Sequence, residues 1–510
     1  MQTIRTIGLA AIGITMIADR LRNGCRRLAH SALITVVLAG CASLAVVDST
    51  PLPSAKLEAP GSETISSDGY RLATLGASDQ FPDLLVLVAM SGGGKRSAAF
   101  AYGALKGMRQ MAIPGGGGNA TLLQAVDGIS GVSGGSFTAA YYGLYRDKAF
   151  GQYEKDFLYS DTNSYIYGIY LLPWHWGWLV DPSTGTNDYM ARTYDETMFH
   201  GATFQDLMRQ GRPVIAIGAT DISYGNPFSF TQEFFDLICS DLSEFPIARA
   251  VAASNGFPGL FSPVTLTSHA ADCGGRRPGW ERRVGERERH DPLSRLGYQA
   301  KILDQYLDPT RTSYLHLVDG GVADNLALRV SGGMMENLAQ SPTAITARGA
   351  DRIRRVLLLS IDGEGAQDTT VAQRKSVGGL FSLFGMVSGG QIDRYNFETL
   401  YAVTAELRDS GQSLRTARCA RGPMIDGAPC GDVQAELIHI SLASIPDGPE
   451  KAELLAIPTG LTLQPHDVDL LVAAGQTAIT TSGPLRHFLD GYPPAPPSAA
   501  PRASRTHAAR

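Results

Sequence analysis

This chain of 510 residues is short of several things, and each shortage narrows what it does. None of its six cysteines forms a C-x-x-C pair, which excludes a zinc ribbon and a dithiol redox motif. Charged residues make up only 18%, the net charge is −5 and no basic stripe stands out, which argues against a nucleic-acid-binding or disordered chain. No group of His, Cys and carboxylates has metal-ligand spacing, and no internal repeat is visible. None of the ten histidines sits where a strand ends, the usual place for a catalytic base in an α/β protein. Glycine, by contrast, is abundant, with 57 residues, and hydrophobic residues at 44% are enough for a sizeable core.

The N-terminus reads as a targeting segment. Arg20, Arg22, Arg26 and Arg27 precede an apolar run from Leu28 to Gly40, interrupted by His30, Ser31 and Thr35 and too short to span a bilayer comfortably. Its ending, Leu38-Ala39-Gly40-Cys41, resembles the bacterial lipobox, which implies cleavage of residues 1–40, lipidation of Cys41 and anchoring in the cell envelope. Ala42 rather than Asp after that cysteine leans the expectation to the outer membrane. In such an oxidising compartment four further cysteines remain, with three possible pairings. Cys419 with Cys430, across a Gly- and Pro-rich stretch, is preferred, which leaves Cys239 with Cys273; four buried free thiols are the alternative.

Residues 41–80 are rich in Ser, Pro and Gly and read as a tether, and residues 81–485 as one large domain. FPDLLVLVAM is a buried strand running through SGGGKRS into a helical stretch. A second strand around Leu123–Ile129 leads through a glycine turn into a helix over 135–145. Further strands are expected at 213–221, 313–319, 356–362 and 435–442, with helices at 248–254 and 467–479. This order argues for an α/β fold of three layers, α/β/α, with a mainly parallel central sheet. The aromatic stretch between 150 and 200 reads as core packing, or as a lid, an acyl-chain groove or a membrane-facing patch. Residues 267–300 read as a surface insertion and 486–510 as a disordered tail.

The chemistry is carried by three short segments. Gly131-Val132-Ser133-Gly134-Gly135 matches G-x-S-x-G at a strand-to-helix junction, where the flanking glycines Gly131 and Gly135 let a strained turn present the serine. Gly92-Gly93-Gly94 lies between a strand and a helix, so its N–H groups point where an oxyanion is stabilised. A phosphate loop is excluded because Ala89 replaces its first glycine and Arg96 follows Lys95, and a dinucleotide loop lacks its acidic partner; no nucleotide or other cofactor is expected. Asp319 ends a strand and is followed by Gly320 and Gly321. A desolvated carboxylate there takes a serine proton directly, which gives a dyad without histidine. Asp127 and Asp221 read as structural, and Asp362 as a rival base.

Taken together, SGGGKRS at 91–97, GVSGG at 131–135 and DGGVADN at 319–325 resemble the patatin-like phospholipase family, over roughly residues 82–480. The resemblance implies that Ser133 is the nucleophile, Asp319 the base and Gly92, Gly93 and Gly94 the oxyanion hole, with Arg96 and Asn325 in support. Ser97 stands where the family has a last glycine, and Ser91 precedes the loop. The implied activity is hydrolysis of a phospholipid acyl ester at a membrane. A lysophospholipid, a neutral glyceride or a thioester is an alternative substrate, and a non-catalytic lipid-binding lipoprotein is the alternative of another class.

Overall fold

The computed structural model describes most of residues 45–490; residues 1–44 and 491–510, the stretches 53–68, 72–77, 115–119, 173–183, 274–289, 331–344 and 364–371, and short pieces beside them fall outside the description. Its centre is a nine-stranded sheet. The strands are β1 (Val46–Val47), β2 (Leu84–Met90), β3 (Val126–Val132), β4 (Val214–Asp221), β5 (Asn226–Phe230), β6 (Val264–Thr267), β7 (Tyr314–Asp319), β8 (Arg355–Asp362) and β9 (Gln434–Ser441). Their order is β1-β6-β7-β4-β3-β2-β8-β9, with β5 also on β4. The run β4-β3-β2-β8-β9 is parallel throughout. Only β5 and β7 on β4, and β6 on β7, pair antiparallel.

β2 is buried along its whole length, yet its alternate residues belong to two separate cores. Leu84, Val86, Val88 and Met90 face the helices α1 (Gly94–Gln110) and α2 (Gly134–Tyr145) and, further out, α7 (Pro465–Thr481). Leu85, Leu87 and Ala89 share a second core with Val403, Leu407, Leu414 and Ala417 of the long helix α6 (Leu380–Arg421). Helices on both faces of a mainly parallel sheet make the three-layer α/β/α fold expected from the element order. Further helices are α3 (Thr186–Tyr194), α4 (Ile247–Ser254), α5 (Arg295–Tyr306) and α8 (Gly483–Asp490).

α1 and α7 touch backbone to backbone. A Cβ on Gly103 would lie 2.1 Å from the Val472 carbonyl oxygen, and one on Gly475 would lie 2.1 Å from that of Phe100. Gly475→Ala is therefore expected to force the helices apart and to destabilise the fold by about 1–3 kcal/mol, read as a lowered melting temperature.

Several sequence expectations are corrected here. The tether is docked where it is described: β1 extends the sheet beside β6, Tyr70 is in the main core, and buried Arg71 donates to Asp236 Oδ2 at 2.6 Å. A polar composition hid a few anchoring side chains. The second strand begins only at Val126, because Leu122–Ala125 form a 3₁₀ turn capped by the Gln124 side chain on the Thr121 N–H. The C-terminal part of the 267–300 insertion is the start of α5. The tail begins later than 486, since α8 continues to Asp490 and buries Phe488 and Leu489. The Cys419 end of the Gly- and Pro-rich stretch is the last turn of α6, a helix that was not anticipated.

Cys419 and Cys430 are disulfide-bonded, with Cα atoms 4.8 Å apart. Cys239 is buried and disulfide-bonded, while the side chain of Cys273 lies outside the described residues, as does Cys41. Of the aromatic stretch, Tyr153, Phe157 and Tyr194 are core residues, with Phe157 stacked on Phe137 of α2 at 4.3 Å; residues 173–183 fall outside the description. Among the described residues no helix is long and apolar enough to cross a membrane.

Candidate active site

The sheet register brings two strand ends together. Val132, the last residue of β3, pairs with Gly218 of β4, and Asp319, the last of β7, pairs with the next residue, Ala219. Ser133 follows β3 directly and opens α2 with φ 49° and ψ −121°. A non-glycine residue held there carries strain on the order of 1–3 kcal/mol, as a nucleophile elbow requires. The turn closes only because its neighbours lack side chains. A Cβ on Gly131 would lie 2.7 Å from the Gly135 carbonyl oxygen, and one on Gly135 would lie 2.4 Å from that of Met90.

The Ser133 hydroxyl donates to Asp319 Oδ2 at 2.9 Å. The other carboxylate oxygen of Asp319 accepts the Gly321 N–H at 2.8 Å, so the two-glycine turn holds the carboxylate from behind. Gly320 is required there as well, since a Cβ would meet Val132 at 2.1 Å. Burial pushes the Asp319 carboxyl up to about 6, against the opposing pull of the Gly321 N–H and the Ser133 hydroxyl. No histidine is among the described partners of Ser133 or Asp319.

The glycine loop crosses directly above this pair. A Cβ on Gly134 would lie 1.9 Å from the Gly94 carbonyl oxygen, so the loop and the elbow pack backbone on backbone. Gly92 is a correction to the expected set of donors. Its N–H is taken by the Asn325 carbonyl at 2.8 Å, and it contributes close approach instead: a Cβ would meet Asn325 Oδ1 at 2.4 Å. The N–H groups of Gly93, Gly94 and Gly134 have no acceptor among the described residues, and Gly94 and Gly134 are first residues of helices, where such groups are left over. N–H groups left over at the start of a helix next to Ser133 are donors of the kind a developing oxyanion needs.

The supporting residues brace this arrangement. Buried Arg96 donates through Nε to the Gly363 carbonyl and through Nη1 to that of Ile457, each at 2.9 Å, pinning α1 to the loop after β8 rather than reaching the serine. Ser97, the departure from the family pattern, donates to the Ser91 carbonyl at 2.6 Å, and Ser91 Oγ accepts the Gly363 N–H at 3.1 Å. The two serines thus tie the glycine loop to α1 and to Gly363. The Asn325 side chain lies between the glycine loop and the aspartate turn, in contact distance of both Gly92 and Gly321.

The other acidic candidates are occupied elsewhere. Asp127 is paired with Arg212 and accepts the Val86 N–H; Asp221 accepts from the Tyr306 hydroxyl at 3.0 Å; Asp362 faces His439, 3.8 Å away. No group of three or more His, Cys, Asp and Glu suited to a metal occurs among the described residues.

Sequence reasoning missed three residues. Ser254 Oγ accepts the Ser133 N–H at 2.9 Å and donates to the Gly218 carbonyl at 2.5 Å. Asn255 places Oδ1 3.3 Å from Ser133 Oγ. Lys95, fully buried, donates to the Ser160 carbonyl and hydroxyl and lies over the Phe157 ring at 4.9 Å; burial, opposed by Asp161, lowers its ammonium to about 7. Ser254 and Asn255 lie in ARAVAASNGFPGLFSPV, a stretch in which nothing local marks which residue meets Ser133.

A family model described as patatin-like phospholipase matches residues 88–330. No curated protein matches the chain. Among solved structures, it is similar to human GIVD cytosolic phospholipase A2, at 13% identity and a TM-score of 0.41, over 80% of this chain and 63% of that one. It is also similar to the same human protein in complex with methyl gamma-linolenyl fluorophosphonate, at 14% identity and a TM-score of 0.36, over 82% of this chain and 60% of that one. The chain therefore spans less than two thirds of the length of those structures.

Proposed function

We propose, for a chain that belongs to the patatin-like phospholipase family through residues 88–330, that it is a lipid acyl hydrolase working with Ser133 and Asp319. The observation that carries this reading is the 2.9 Å hydrogen bond from the strained Ser133 hydroxyl to a buried carboxylate. Asp319 takes the serine proton as Oγ attacks the ester carbonyl, and the N–H groups of Gly93, Gly94 and Gly134 receive the negative oxygen. The alcohol leaves with the proton from Asp319. Water then attacks the acyl-enzyme, Asp319 takes its proton, and the fatty acid is released. No cofactor takes part in these steps. Phe257, Leu260 and Val322, exposed apolar side chains on the turns beside Asn255 and Asp319, suit an acyl substrate.

Wild type is expected to be labelled by a fluorophosphonate and to hydrolyse at least one of a phospholipid, a lysophospholipid and a triglyceride, with Ser133→Ala inert in both assays. A wild type that neither labels nor hydrolyses any of the three sinks the reading and leaves the lipid-binding alternative. Anchoring through Cys41 at the outer membrane is part of the proposal, supported by the L-A-G-C sequence.

The raised carboxyl gives a pH dependence. Asp319 must be ionised to accept a proton, so kcat/KM is expected to fall as pH drops through about 6 and to level off above it. A pH profile with a midpoint near 4, the ordinary carboxylate range, would mean that the base is a carboxylate that burial does not raise.

A further inference from the structure

Asn255 and Tyr194 form a buried polar relay that ends on the reacting oxygen. The amide oxygen position of Asn255 is 3.3 Å from Ser133 Oγ, and its amide nitrogen position is 3.3 Å from the Tyr194 hydroxyl. Both side chains are buried. Backbone bonds on either side fix the amide: the Asp319 N–H donates to the Gly256 carbonyl at 3.0 Å and the Gly320 N–H to that of Ser254 at 3.1 Å. Residues 254–256 are thereby strapped to the aspartate turn.

The hydrogens decide which way the amide faces. Ser133 has one hydroxyl hydrogen, and Asp319 receives it along the shorter bond, 2.9 Å. With the amide oxygen toward Ser133, that single hydrogen would be asked to serve two acceptors, and the Tyr194 hydroxyl hydrogen would have none among the described residues. Rotating the amide by half a turn exchanges O and N, which are alike in size, and leaves every heavy-atom distance unchanged. Each contact then has one hydrogen. Tyr194 donates to Asn255 Oδ1, Asn255 Nδ2 donates to Ser133 Oγ, and Ser133 donates to Asp319. Burial raises the Tyr194 phenol well above its ordinary value, which keeps that donor protonated.

We propose that Asn255, oriented by Tyr194, is a third catalytic residue, donating a hydrogen bond to Ser133 Oγ. The proposal rests on the Ser133–Asp319 reading. A neutral donor on Oγ has opposite effects on the two half-reactions. In acylation it withdraws electron density from the attacking oxygen while supporting the charge left as Asp319 removes the proton. In deacylation Oγ is the leaving group: water bonds to the acyl carbon, the C–Oγ bond breaks, its electron pair passes to Oγ, and protonated Asp319 returns a proton to it. Asn255 loses no proton in either step, and its N–H directly supports the departing oxygen. Deacylation is the step that needs it most.

The test is steady-state and pre-steady-state hydrolysis of p-nitrophenyl butyrate by the whole protein. Asn255→Ala is expected to lower kcat by roughly tenfold or more, with KM falling in parallel, kcat/KM nearly unchanged, and a burst of about one p-nitrophenolate per labelled serine. Tyr194→Phe, which removes one oxygen and frees the amide to turn, is expected to move kcat and KM in the same direction by a smaller factor, and it carries the test if Asn255→Ala does not fold. An unchanged or raised kcat, or an equal fall of kcat and kcat/KM without a burst, overturns the proposal. A raised kcat/KM in particular would mean that Asn255 accepts from Ser133 and competes with Asp319. If Ser133→Ala retains hydrolysis, the underlying reading fails too; if Ser133→Ala is dead and Asn255→Ala matches wild type, only this proposal fails.

Discussion

Asp319→Asn is expected to lower kcat/KM by about 10⁴-fold while raising the melting temperature at pH 8. The two effects have one cause. The amide keeps the shape of the carboxylate, so Gly321 retains an acceptor, but it takes no proton from Ser133. The stability change has a definite sign. Burial raises the folded carboxyl to about 6, above its ordinary 3.8, so between those values the folded state binds more protons than the unfolded state. Stability therefore falls as pH rises from 3.8 to about 6, and the cost of an ionised, buried carboxylate stays constant above that. The neutral amide removes that cost. Thermal melts of wild type and variant at pH 4 and pH 8, beside ester hydrolysis, check both halves. A variant that loses activity and also melts lower at pH 8 would make Asp319 a structural rather than a catalytic carboxylate.

Gly134→Ala is expected to lower kcat by about 10²–10³-fold with little change in KM. Its Cβ would lie 1.9 Å from the Gly94 carbonyl oxygen and 2.8 Å from the Gly94 carbonyl carbon. Both are backbone atoms, so no rotamer relieves the clash and the elbow and the loop must separate. Separation spreads the N–H groups of Gly93, Gly94 and Gly134, which have to converge on one oxygen. Losing one such donor costs about 2.7–4 kcal/mol in the transition state and little in the ground state. The rate of fluorophosphonate labelling should slow with kcat, since phosphonylation develops charge on the same oxygen. Normal kinetics in a folded Gly134→Ala would exclude this loop as the oxyanion site.

What could be read from the sequence is what depends on neighbours along the chain. The Ser133 turn needs small residues within two positions on either side, and GVSGG spells them out. β2 announces itself as seven consecutive apolar or small residues, LLVLVAM, as expected of a strand covered on both faces. Asp221, Asp319 and Asp362 each stand at a strand end, and in the sequence the two glycines after Asp319 and the order of the motifs favoured it, with Asp362 left as a rival. The errors arose where composition stood in for contacts. A Ser- and Pro-rich segment read as a free tether, although Arg71 reaches a buried Asp236 that is 165 residues away.

By itself, then, the sequence determined the α/β order, the serine on its elbow, the glycine loop and the resemblance of these motifs to a known family, because each is written in a few consecutive residues whose backbone needs are local. Only the tertiary structure decided which hydrogen goes where. Gly92 lost its place as a donor because Asn325, distant in sequence, takes its N–H. Asp319 was singled out because the register of β7 on β4 sets it beside Ser133, 186 residues away, while Asp362 ends a strand that leads to His439. Asn255, 122 residues from Ser133, entered the site for the same reason. Hydrogen bonds act over about 3 Å, and a partner that lies more than a hundred residues away along the chain is within that distance only after the sheet has set its register.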